Sequence, residues 1–113
     1  MKNNKLGFSN KKVTHKKNKA EIEKLKKISL DLIKTHKIDE LKEVYEKQIS
    51  LGYKNHETYA NLAAIYWNKK EYDKTKLYIK KALKLKSNYP EALNTFGNIL
   101  DREGQVQKAI HIF

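Results

Sequence analysis

The chain has 113 residues, enough for one small domain or part of a larger one. It contains no cysteine, which excludes disulfides, thiolate metal sites and a cysteine nucleophile. The formal net charge is +12, carried by 24 lysines and one arginine, Arg102; because planar, bidentate recognition of phosphates and bases is an arginine trait, a lysine surplus is weak evidence for nucleic acid.

Residues 1–19 hold seven lysines and no acid, and their few apolar residues (Leu6, Phe8, Val13) show no period. This predicts a disordered basic leader. It lacks the apolar core of a signal peptide, and no apolar run approaches the ~18–20 residues that would span a membrane. The expected location is the cytoplasm, with no membrane span.

From Ala20 the apolar spacing is helical almost throughout. Helices are predicted over 20–34, 39–50, 56–69, 72–86 and 90–102, with a last one starting near 106. The joints THKID, LGYKN, KKE, SNY and REGQ are short, which sets neighbouring helices antiparallel. With four glycines, one proline (Pro90) and no strand pattern, the expected class is all-α.

The helices repeat at 34 residues. Leu25 falls on Tyr59 and Leu93, Ile28 on Leu62 and Phe96, Ser29 on Ala63 and Gly97, and Leu32 on Tyr66 and Leu100. In the second helices Leu41 falls on Thr75 and Ala109, and Tyr45 on Ile79 and Phe113. Ser29, Ala63 and Gly97 form a column of small residues. Close helix approach is expected there, with dispersion contacts offsetting the poor helix propensity of Gly97.

These residues resemble tetratricopeptide repeats, whose 34-residue helix–turn–helix unit follows W-x2-L-G-x2-Y, then A-x3-F, then P. The second copy supplies Tyr59, Leu62, Ala63 and Tyr66, then Thr75, Ile79, Ala82 and Leu83. The third supplies Leu93, Phe96, Gly97 and Leu100, with Gly104 in the turn, then Ala109 and Phe113. The first departs most, with Ser29 at the small position, His36 at the turn glycine and Leu41 at the usual alanine. The resemblance implies an alpha-alpha superhelix, a solenoid of antiparallel helix pairs. It holds about two and a half to three repeats over 20–113 (22–55, 56–89 and an incomplete 90–113). Because the third copy stops inside its second helix with no polar cap, the sequence is expected to be a fragment of a longer, bacterial repeat protein.

In this family the first helices line a groove that holds a peptide. The residues expected to face it are Lys26, Leu30 and Ile33, then Asn61, Ala64 and Trp67, then Asn94, Asn98 and Asp101. Asn side chains can bond the main chain of an extended ligand; the rival reading is a polar, solvated face. The carboxylate clamp of some family members is not expected. Lys26 and Asn61 fill two of its five places, but Leu30, Glu91 and Thr95 fill the rest, and Glu91 repels a carboxylate. Trp67 either anchors a partner or packs between repeats, the latter being preferred.

Lys76, Lys80 and Lys84 form a row on one helix, which with the leader suggests non-specific nucleic-acid contact as a lesser alternative. The four histidines (His15, His36, His56, His111) share no metal-ligand spacing, and Glu40, Glu43 and Glu46 sit among lysines. No phosphate loop, nucleophile elbow or dinucleotide fingerprint is present. The expectation is a protein–protein interaction module with no catalytic residue, metal or cofactor. The alternative is a substrate-recruiting repeat region preceding a glycosyltransferase, sulfotransferase or methyltransferase domain.

Overall fold

The computed structural model describes the backbone of residues 2–112 and the side chains of residues 16–107. Among the described residues there are five helices and no strand: α1 (Lys2–Lys34), α2 (Ile38–Ser50), α3 (His56–Asn68), α4 (Tyr72–Leu85) and α5 (Pro90–Ile112). They form two compact units, Met1–Tyr53 and Lys54–Phe113.

The first unit is a hairpin of α1 and α2. It buries Leu25, Ser29 and Leu32 from α1 and Leu41, Tyr45 and Gln48 from α2. The hairpin turns at His36, which adopts the left-handed conformation (φ 57°). There the Lys37 N–H donates to the Leu32 carbonyl (3.1 Å) and the His36 N–H to that of Ile33 (3.3 Å). This is the crossed pair of bonds that closes a helix C-terminus.

The second unit begins with Asn55, whose side chain accepts the Thr58 N–H at 3.0 Å and caps α3. The α3–α4 turn repeats the first one 34 residues on. Lys70 is left-handed (φ 64°), the Glu71 N–H donates to Tyr66 (2.9 Å), and the Lys70 N–H donates to Trp67 (3.0 Å). Leu62 and Ala63 of α3 and Ala82 of α4 have no exposed surface. Tyr78 stacks between Tyr59 (centroids 6.2 Å apart) and Tyr66 (5.6 Å). The Thr75 hydroxyl, also fully buried, is satisfied by the Glu71 carbonyl at 3.0 Å. α5 packs on α4 and touches α3, burying Ala92 and Ile99.

Three expectations are corrected. First, the first helix does not begin at Ala20: α1 spans Lys2–Lys34. Lysine is a good helix former, and 2–19 contain no proline and one glycine. Second, REGQ is not a joint. α5 continues through Gly104, because its flanks are held in helical register. The Gln105 amide donates to Asp101 one turn back at 3.2 Å, and Glu103 is tied to Lys76 of α4 at 2.8 Å. Ala109 and Phe113, assigned to the helix after that joint, have side chains outside the described residues.

The third correction follows from the second. Since α5 does not fold back, the stripe Leu93–Phe96–Gly97–Leu100 is not covered as its counterparts are. Leu93 and Leu100 are 46% and 47% exposed, against 7% and 3% for Tyr59 and Tyr66. A Cβ on Gly97 would meet nothing within 4 Å. Close approach at the small column therefore holds for Ser29 and Ala63, both buried, and not for Gly97.

Ala63→Leu overfills the α3–α4 seam and should lower unfolding stability by about 1–3 kcal/mol, whereas Gly97→Ala has open space and should raise it by about 0.5–1 kcal/mol. Urea denaturation of both variants checks this; a destabilising Gly97→Ala would show that something does pack there. Gly104→Ala should likewise stabilise by up to about 1 kcal/mol and raise the helical circular dichroism signal. A loss of stability would mean that α5 bends at Gly104 in solution.

Candidate peptide-binding face

The nine residues expected to line a groove divide between the units. Lys26, Leu30 and Ile33 lie on α1 in the first. Lys26 is partly buried, donates to Glu23 at 2.9 Å and lies 4.7 Å from the Tyr53 ring centroid. The hydrogen bond to Glu23 raises the pKa of Lys26 and lowers that of Glu23. Leu30 and Ile33 are exposed.

The other six lie on α3 and α5 in the second unit. On α3, Asn61 and Ala64 are exposed and share a stripe with Glu57 and Asn68, at spacings of three and four residues. On α5, Asn94, Asn98 and Asp101 are exposed and share a stripe with Glu91 and Gln105. The 34-residue register maps Glu57 onto Glu91 and Ala64 onto Asn98, so the two stripes open on the same side of neighbouring helices. Trp67 is half-buried at the edge of the α3 stripe, its ring edge-on to Tyr72 at 5.2 Å.

Several features were not read from the sequence. Arg102 lies flat over the other end of the same aromatic pair, its guanidinium carbon 3.8 Å from the Tyr72 centroid. The Lys76–Lys80–Lys84 row is interrupted, since Lys76 is paired with Glu103. Of the neighbouring lysines, Lys74 lies over Tyr66 and Lys81 over Tyr78 and Tyr59. At the start of α3, His56 meets the Tyr89 ring edge-on at 5.0 Å. The Tyr89 phenol is pushed above its ordinary range, by burial first and then by the charges of Glu91 and Glu57. One phenol thus feels both carboxylates, which places the starts of the two stripes in one neighbourhood.

Among the described residues no group of three His, Cys, Asp or Glu is arranged to hold a metal, and no helix is long and apolar enough to cross a membrane. His36 is exposed in the first turn, and the side chains of His15 and His111 lie outside the described residues.

Antiparallel helix pairs that recur at 34 residues, with matching turns, define an all-α helical-repeat protein. Comparison with known families adds a particular likeness: residues 56–89, which span α3 and α4, match the tetratricopeptide repeat. Such repeats generally mediate protein–protein interaction. Comparison with curated proteins gives no match.

The neighbourhood of Tyr89 is testable. In a spectrophotometric titration, read as the difference from a Tyr89→Phe variant, Glu91→Gln should lower the pH at which the Tyr89 phenol ionises. A titration unchanged by Glu91→Gln would separate Glu91 from this site.

Proposed function

We propose that the chain is a protein-interaction module, without chemistry of its own, that holds a peptide segment of a partner protein along the exposed face of α3 and α5. The supporting observation is the pair of exposed stripes on a tetratricopeptide hairpin and the helix next to it. Asn94 and Asn98 lie one turn apart, and each amide offers both a donor and an acceptor to an extended main chain. Ala64, exposed between Asn61 and Asn68, leaves room for the backbone to come close. The module works in an aqueous compartment, which we take to be the cytoplasm.

Nucleic acid is the weaker reading, because the lysine row that suggested it is interrupted at Lys76, which is paired with Glu103.

Selection of binding dodecamers from a random peptide library tests the proposal. Removing both amides with Asn94→Ala and Asn98→Ala should weaken a selected peptide by roughly 5–30-fold, at about 1 kcal/mol per lost hydrogen bond. Lys84→Ala on α4 should leave it unchanged. Equal effects from both changes would rule out this face.

A further inference from the structure

The layer formed by α3 and α5 carries a charge opposite in sign to that of the whole chain. Between His56 and Asn68 there is no lysine or arginine, and between Pro90 and Gln107 the one cation is Arg102, which is stacked on Tyr72. The exposed stripes hold three carboxylates, Glu57, Glu91 and Asp101. α4 is the reverse: Tyr72–Leu85 contains five lysines and one acid, Asp73.

The first unit supplies an internal control. Glu23, Glu57 and Glu91 occupy one position of the 34-residue register. Glu23 is neutralised by Lys26, three residues on. The matching positions in the second unit are Ala60 and Asn94, so neither Glu57 nor Glu91 has a lysine there. Glu57 has a longer contact, 3.9 Å, to His56 Nε2. Asp101 accepts from the neutral amide of Gln105, which leaves its charge in place. First-turn acids also favour their own helices, but Asp101 is mid-helix, and all three carboxylates point outward on the face that bears the asparagines.

We propose that this face selects a cationic peptide: a segment of a partner protein whose lysine or arginine side chains meet Glu57, Glu91 and Asp101 while Asn94 and Asn98 hold its main chain. The proposal rests on the reading that the face binds peptide at all, and adds the sign of the ligand. It also gives a spacing. Glu91 and Asp101 are ten residues apart, about 15 Å along a helix, a distance that an extended peptide covers in four to five residues. Cations four to five residues apart therefore fit best. Half-exposed Trp67 at the rim offers a ring to a further cation.

The test uses three dodecamers that differ only at positions 4 and 8, which carry Lys, Gln or Glu. Binding is followed by calorimetry and by the emission of Trp67, the one tryptophan in the chain. The Lys peptide should bind about tenfold tighter than the Glu peptide, with Gln between, since two exposed ion pairs contribute up to about 1 kcal/mol each. Glu91→Gln with Asp101→Asn should shrink that preference to about twofold, and raised salt should erode it. Equal binding of all three peptides, tighter binding of the Glu peptide, or a preference untouched by the double substitution would overturn the charge inference and leave the peptide-binding reading standing. No binding by any peptide overturns both. Sedimentation of the protein alone should give a monomer. A dimer dispersed by the same double substitution would name a second copy as the occupant and overturn the assignment to another protein.

Discussion

The packing of α3 on α4, in a unit that fully buries Ala63 and Ala82, is the constraint on which that unit depends. Neither alanine has any exposed surface, and only side chains this small let two helices approach so closely. That closeness lets Tyr78 enter between Tyr59 and Tyr66, and it leaves Leu62 and Ile79 fully enclosed. Stacked rings and buried aliphatics then contribute most of the apolar burial that a 34-residue hairpin can offer. The turn at Lys70 is held in the unfavourable left-handed region because the two helices it joins are already fixed by that seam.

A hairpin of this size leaves its first helix only partly enclosed, and α5 covers one flank of it. α5 does so with Ala92 and Ile99, which are not the residues that the repeat register assigned to the interior. The register identifies which residues are equivalent. Whether equivalent residues are equally buried depends on a covering helix. The Leu93–Leu100 stripe has none, because the residues after Gly104 continue along the axis of α5.

Much of this architecture was legible in the sequence. Apolar spacing placed α2, α3 and α4 within a residue of their ends, and self-comparison at 34 residues found the equivalent helix positions, among them the small residues Ser29 and Ala63. Gly104 misled because glycine both ends helices and survives inside them at about 1 kcal/mol. The two turns that do form use His36 and Lys70, so in this chain glycine was not the signal. The start of α1 was missed for a related reason: a lack of apolar period bears on packing, whereas lysine in itself favours the helix that α1 forms. At the candidate face, five of the six residues expected on α3 and α5 are exposed and Trp67 is half-buried. The sign of the charge there was missed because a net value of +12 averages over faces. A simple alignment of Glu23, Glu57 and Glu91 would have revealed it.

Charge segregation of this kind gives the second unit a handle. An anionic surface (a sulfonated resin, a silica chip, a polyphosphate gel) attracts the exposed amines of Lys80, Lys81 and Lys84 and repels the layer that holds Glu57, Glu91 and Asp101. The unit would settle with α4 toward the support and its asparagine-bearing side toward the liquid. Amine-reactive linkers would favour the same orientation, since among the described residues the exposed stripes of α3 and α5 contain no lysine to compete.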